Sequence, residues 1–530
     1  MYYDKNTSVL VTLLALIGSG CMSYDMAYED NDRSGAPDDG QYDTGYGSEG
    51  DDEDWTEEPG SEQENDFLAL APAQTDVYVF IANPARSTVT RVNVFTQEVR
   101  TTEVGLDPSV VHVSPDYSTA AVFNKGSDSV SIVDAASLDV MEVAVRDNFN
   151  QMELSPQGGW VGLYHDKNAE DEPSNTGDIQ SFNEVSFVRL SDGAHHAMAV
   201  GFNPREIQFT QDESLAIVVS DDAVAMVDMT ADTLKPRIID ITLGAEEPPP
   251  AEEVVINPDG TYAFVRQFGA SELVVIDLAS EQINTIDTGS NPTDLDLSPD
   301  GALAVVVSRT SKELHVIDAV EPLNIAPKIV PLPEDLSLGS VLFDPIGEQA
   351  LVYTTASLTP YYAVWDLDDT VVVQDVPKPI RAMSITPTGQ SLMVIHTQAD
   401  AADADPSGYF YGHHAISLVD LNDFRQNTLK LPAEPSGYVN GTNGVHGYFI
   451  MENINLLAQV DYETLLYEQV SLKSPPVYVG VLPDLDVADG DMPPAWVSQE
   501  HPLGRLTFFD PDDGSAETIT GFELNSRIEE

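Results

Sequence analysis

From residue 77 to the C-terminus, apolar and polar positions fall into one short pattern that recurs about ten times. Each copy has a segment that alternates with period two, a tight polar turn, a nearly continuous apolar run, and a second alternating segment that ends near Asp. Thr293 to Ala319 shows it most plainly: TDLDL alternates, SPDG (Ser298 to Gly301) reads as a type I turn, ALAVVVS as a buried strand, and ELHVID alternates again. VSIVDA (Val130 to Ala135), LVVIDL (Leu273 to Leu278) and ISLVDL (Ile416 to Leu421) repeat the third segment, and NPDG (Asn257 to Gly260) repeats the turn. Three strands therefore precede a looser fourth. Self-similarity at roughly 40 to 50 residues, with every element reading as strand, predicts an all-β protein: a β-propeller of four-stranded blades.

The third-segment ends fall near residues 96, 134, 189, 228, 277, 318, 366, 420, 461 and 510, which gives ten candidate blades. Spacings are 38, 55, 39 and 49 residues in the first five units and 48, 54, 41 and 49 in the second five. That match suggests a duplicated five-blade block, with halves 67–300 and 301–530. One wide ring is the preferred reading, because no linker interrupts the repeat near Ser298; two five-bladed rings, or seven or eight blades plus a side module, are the alternatives. Phe67 to Ala73 is the candidate first inner strand and Glu517 to Leu524 the last outer one. The Asp that closes the third strand (Asp134, Asp228, Asp277, Asp318, Asp366, Asp420, Asp461, Asp510) is placed to accept backbone N–H bonds in the next turn, a scaffold role.

The stretch GSNPTDLDLSPDGALAVVVSRTSKELHVIDA resembles the YVTN-type propeller repeat of bacterial exported and surface proteins, and KGSDSVSIVDAASLDVMEVAV (Lys125 to Val145) resembles its second half. The resemblance implies a secreted or surface-attached propeller without established catalysis. At the N-terminus the apolar run Val9 to Ile17, then Gly18, Ser19 and Gly20 before Cys21, has the layout of a secretory signal. It is similar to a bacterial lipoprotein signal peptide (1–20), with Gly18 where Leu is usual, and the similarity implies a lipid on Cys21. Residues 21–66 read as an acidic tether: 22–66 hold 17 acidic residues and one basic residue, a composition that cannot offset ordering entropy. As a coil it spans on the order of 35 to 40 Å. The resulting expectation is a monomer on the cell envelope, at the outer membrane or cell surface, touching membrane only through its lipid.

Charge narrows the partners. The chain has 89 acidic and 23 basic residues, a net −66, and residues 67–530 retain 71 acidic against 21 basic, about −50. Such a surface repels phosphate backbones, which excludes nucleic acid and leaves a protein or glycan partner. A body this acidic also reads as adapted to a saline medium, where screening relieves self-repulsion.

The long spacings come from insertions at one place in the unit, between second and third strands: 165–181 in unit three and 398–414 in unit eight. Both are therefore expected on the face that carries the links between blades, around the channel mouth, where long loops on a rigid scaffold concentrate binding residues. The candidate interaction residues are His165, Asp166 and Asp171 in the first loop, and Asp400, Asp403, Asp405, Tyr409, Tyr411, His413 and His414 in the second. His413 and His414 are adjacent and point apart in an extended segment, which argues against zinc. Asp484, Asp486, Asp489 and Asp491 form a weak calcium candidate, since Ala488 stands where an EF-hand needs a ligand. No other cofactor is implied.

The sequence has no CxxCH, GxSxG, P-loop, HExxH or glycine-rich dinucleotide fingerprint. The reading is thus a non-enzymatic binding or scaffold protein. The alternative is a propeller hydrolase or lactonase with carboxylates or a metal in the channel, for which His, Asp, Glu or Asn from several blades must converge on one point.

Overall fold

The computed structural model describes residues 73–166, 183–242, 249, 251–267, 269–400, 408–441, 444–482, 495–511 and 514–529. Ten antiparallel sheets follow one another along the chain: 73–103, 108–144, 151–199, 204–240, 251–287, 292–331, 340–375, 380–431, 435–471 and 476–529. We call them blades 1 to 10, with strands a to d from the channel outward. They form one ring, a ten-bladed β-propeller, as the preferred sequence reading expects. Strand ends agree as well, with strand c closing at Asp134, Arg189, Asp228, Asp277, Asp318, Trp365, Asp420, Asp461 and Phe509. The first unit differs by three residues, because its strand c stops at Asn93.

Blade 6 shows how the pattern makes the sheet. Leu295 pairs with Val306 and Val305 with Val316, so the apolar run of strand b lies between two alternating strands. Strands b and c are buried almost throughout, while strand d, Lys328–Pro331, is mostly exposed. In the SPDG turn, Gly301 N–H reaches Ser298 O at 2.7 Å, and Ser298 Oγ joins Asp300 at 2.6 Å. Gly301 has φ +66, and a Cβ there would lie 2.1 Å from Pro258 in the turn of blade 5, so both backbone and packing require glycine. The predicted role of the closing Asp also holds: Asp134 Oδ1 accepts from the N–H groups of Ala136 and Ser137 at 3.0 and 2.7 Å, and Asp277, Asp318 and Asp461 do likewise in their own turns.

The core is divided among the seams between blades. Ten clusters of buried apolar side chains occur among the described residues, each built from two neighbouring blades. An open row of ten blades has nine seams; the tenth joins Val79, Val92 and Val94 of blade 1 to Leu482, Trp496, Leu506, Phe508, Ile519 and Phe522 of blade 10. The ring is therefore closed by packing, without a strand shared between the two blades. Polar contacts reinforce that seam: Trp496 Nε1 donates to Gln74 Oε1 at 2.5 Å, and Arg86 pairs with Glu523 at 3.2 Å.

At the termini the sequence expectation needs one adjustment. The first inner strand is Ala73–Gln74, with residues 67–72 outside the described residues. The outer strand of blade 10 is Ala516–Thr520 rather than a strand continuing to Leu524, because Gly521 turns the chain at φ +94 and Phe522–Leu524 is a 3-10 turn. Ile528–Glu529 then adds a fifth strand at that edge.

Candidate functional site: channel mouth and channel wall

Links between blades and connections from strand b to strand c leave on the same face of the ring, so both insertions emerge at one mouth. In blade 3 the loop is tied at its root to the preceding link. His165 Nδ1 donates to Asn148 O at 2.7 Å, and Asn150 exchanges bonds with the backbone of Asp166 at 2.7 and 2.8 Å. His165 and Asp166 are consequently buried, and their side chains face the protein. The rest of this insertion, including Asp171, lies outside the described residues.

Blade 8 uses a stronger clasp. Lys378, in the link before strand a, is only 1% exposed. Its ammonium donates to Gln398 O at 3.0 Å and Phe410 O at 3.3 Å and pairs with Asp400 at 2.5 Å, while Asp400 Oδ2 accepts from Gly412 N–H at 2.7 Å. Asp400 thus fastens the loop. Beyond the clasp, Tyr409 is 71% and Tyr411 47% exposed, and His413 is exposed too. Phe410 meets the Tyr409 ring edge-on at 5.0 Å, and Lys430 Nζ lies 3.8 Å from the Tyr409 centroid. His414 is half-buried, and burial together with nearby Arg381 and Lys378 lowers its pKa. Asp403 and Asp405 lie outside the described residues, as do Cys21 and the calcium candidates Asp484, Asp486, Asp489 and Asp491.

The channel wall holds residues that motif reading passed over. Strand a carries a carboxylate two or four positions before the a–b turn in four consecutive blades: Glu153, Glu206, Glu253 and Asp296. All four are half-buried. Burial pushes Glu206 up to about 8, with Glu153 and Glu253 adding repulsion and a 2.6 Å bond from Gln208 opposing. Burial pushes Glu153 and Asp296 up to about 7, the latter with help from Glu253. Glu253 is also raised by burial, against the pull of Arg266, whose guanidinium meets Glu253 at 2.9 Å and Glu252 at 2.5 Å. His112, before Glu153 in the same position of blade 2, donates to Met152 O at 3.0 Å and is lowered by burial.

Other polar side chains of strand a stitch the seams. Gln208 reaches Val254 O at 2.6 Å, Thr293 reaches Gly339 O at 2.6 Å, and Asn440 reaches Ile385 O at 3.3 Å, each across to a neighbouring blade. The signal in the sequence was a carboxylate an even number of positions before the turn, two in QMELSP and DLDLSPD and four for Glu206 and Glu253. The carboxylates spread along an arc of four blades, and among the described residues no three His, Cys, Asp or Glu side chains come together as a metal-holding set.

Fold and site together define a ten-bladed propeller protein with an elaborated mouth and an acidic channel arc. No protein-family model matches the sequence, and no curated protein matches it. Among solved structures it is similar to a eukaryotic initiation factor (11% identity, 75% of this chain and 97% of that one, TM-score 0.50). It is also similar to the dihydro-heme d1 dehydrogenase NirN in complex with DHE (13% identity, 77% and 76% covered, TM-score 0.44). A third is the β-propeller domain of Cps50 (Swd1) from Myceliophteria thermophila (14% identity, 55% and 94% covered, TM-score 0.35). At such identities the likeness concerns fold alone.

Proposed function

We propose that this chain is an extracytoplasmic binding or scaffold protein of the YVTN propeller type, tethered by a lipid on Cys21, that engages a protein or glycan of the cell envelope through its channel mouth. The observation that carries this reading is the blade 8 loop, where a clasp of the buried Lys378 on Asp400 supports the exposed rings of Tyr411 and of Tyr409, the latter beside Lys430. Exposed aromatic rings on a rigid support give large contact area at small entropic cost, as recognition surfaces require. Affinity capture from native envelope should recover a partner with the full chain and at least tenfold less with Tyr409→Ser/Tyr411→Ser; equal recovery refutes the assignment.

The raised carboxyls favour one second reading. Glu153, Glu206 and Asp296 hold protons near neutral pH, as the general acid of a propeller hydrolase or lactonase would. Turnover of a lactone or ester panel that disappears in Glu206→Gln would favour this reading over the first.

A further inference from the structure

The periphery of the ring exposes the outward edges of strand d, and natural sheets guard such edges with charges, proline or a covering strand. Most blades here do so. Blade 6 has Lys328 and Pro331 in its outer strand, blade 4 has Pro236, Arg237 and Asp240, and blade 10 is covered by Ile528–Glu529. Blade 7 differs in its exposed apolar centre. Its outer strand, Val371–Asp375, reads VVVQD, with the adjacent Val372 and Val373 45% and 38% exposed; like QINTID in blade 5 it has no charge before its final Asp.

The register shows which backbone groups face outward. Asp366 N–H bonds Thr370 O at 3.2 Å and Val376 N–H bonds Pro360 O at 2.9 Å, while Val372 lies opposite Val364 and Gln374 opposite Tyr362. In an antiparallel ladder this turns Thr370, Val372, Gln374 and Val376 toward strand c. The N–H and C=O groups of Val371 and Val373 then point away from the blade, as does Asp375 O, which already accepts a 3.0 Å bond from Gln426 of blade 8. Carboxylates bracket this edge: Asp368 and Asp369, each 87% exposed at the side chain, precede it, and Asp375 ends it. Lys328 bridges to Asp368 and Asp369 at 3.4 and 2.9 Å, which brings the rim of blade 6, with Ile329 54% exposed, alongside.

We propose that the outer edge of blade 7 is a docking strand for a second protein, which adds an extended segment with an apolar centre and Lys or Arg at both ends. Backbone pairing with Val371 and Val373 would supply affinity, and the bracketing carboxylates would select the cationic flanks. A second copy of this chain fits poorly: antiparallel self-pairing would bring Asp375 against Asp368 and Asp369 of the other copy, on a chain of net charge −66. The surface lies on the rim and is independent of the mouth.

The test is fluorescence anisotropy of the full chain with a labelled Lys-Lys-Val-Thr-Val-Thr-Val-Lys-Lys peptide. A control peptide has both threonines replaced by proline, which keeps the charge and removes pairing. The proposal expects saturable binding of the first peptide and at least tenfold weaker binding of the second. Val373→Pro, which deletes an outward N–H and no bond to strand c, should weaken the first peptide at least tenfold. Because proline also restricts the strand backbone, amide exchange on the native protein provides the independent readout, with slower exchange at Val371 and Val373 when peptide is bound. Equal binding of the two peptides, unchanged exchange, or a concentration-dependent dimer lost in Val373→Pro would overturn the proposal.

Discussion

Replacing Glu206 with Gln is expected to stabilise the protein at alkaline pH and to change little at pH 5. The folded carboxyl titrates near 8 and its ordinary value is 4.5. Below 4.5 both folded and unfolded states hold the proton, and the group has no effect on stability. Between 4.5 and 8 the unfolded chain has lost the proton that the folded chain retains, so stability falls as pH rises, and above 8 the whole penalty is in place. At roughly 1.4 kcal/mol per pH unit that interval amounts to about 5 kcal/mol. Glu206 is only half-buried, and channel water reduces the effect to on the order of 1–3 kcal/mol. Gln keeps the oxygen that accepts from Gln208, so the substitution removes charge without removing the hydrogen bond. Urea unfolding at pH 5, 7 and 9 measures the difference. A constant gap between the two proteins at all three values, or a less stable variant at pH 9, would show that the channel wall does not hold this proton. Glu153→Gln and Asp296→Asn should behave alike, with the loss of stability complete near pH 7.

Three further outcomes follow from the same physical reasoning. Melting temperature should rise as NaCl goes from ~0.05 to ~1 M, because screening relieves repulsion on an acidic body; a flat profile refutes that. Lys378→Met leaves the partly buried Asp400 without its cation and should cost about 1–3 kcal/mol. Chymotrypsin should then cut faster after Tyr409 and Tyr411, and Lys378→Met/Asp400→Leu should recover part of the stability; native-like resistance in the single variant argues against the clasp. Gly480→Ala places a methyl 2.2 Å from Trp496 Cζ2, displacing the indole that bonds Gln74 across the closing seam. A loss of about 1–3 kcal/mol with a changed near-ultraviolet signal from Trp496 is expected, and an unaltered spectrum contradicts this account of closure.

The blades were legible because each unit carries its own local instructions. A turn such as SPDG and a strand-ending Asp act within a few residues of themselves, so their spacing alone counts the blades. Closure was not legible, since it depends on Phe522 and Ile519 meeting Val79 and Val92 more than 400 residues away. The roots of the two loops lie on the links' face, yet position in the unit does not tell which side chains turn inward. Asp400 was expected to face a partner and instead meets Lys378, because a nearly fully buried ammonium requires a counter-ion. The channel arc was hidden for a different reason. Alternation in DLDL marks Leu as the core face, and leaves open whether the Asp side meets bulk water or the next blade.

His165 shows how the scaffold and the candidate site share residues. Ten residues after the Ser or Thr that opens the a–b turn, it occupies the same place in blade 3 as Asn124 in blade 2, Ser308 in blade 6 and His396 in blade 8; Gln499 of blade 10 stands opposite the proline that opens strand a, as Ser308 does in blade 6. Each is a buried polar residue at the end of strand b, with His165 one position beyond its last residue, Tyr164. A link between blades runs past that point, and the side chain there meets its backbone polar groups: Ser308 donates to Thr288 O, and Gln499 accepts from the N–H groups of Lys473 and Ser474 at 3.0 and 3.1 Å, while Asn124 bonds strand c of its own blade. His396 Nδ1 donates to Pro379 O at 3.3 Å as His165 does to Asn148 O, and its Nε2 also joins Ser417 at 2.7 Å. Burial lowers His396 to about 4, so it remains a neutral hydrogen-bonding group at physiological pH. Blades 3 and 8, five apart and opposite one another in the ring, are thus the two that combine a long insertion with a histidine at its root. Imidazole anchors the start of each loop against the preceding link, and the residues free to meet a partner begin only beyond that anchor.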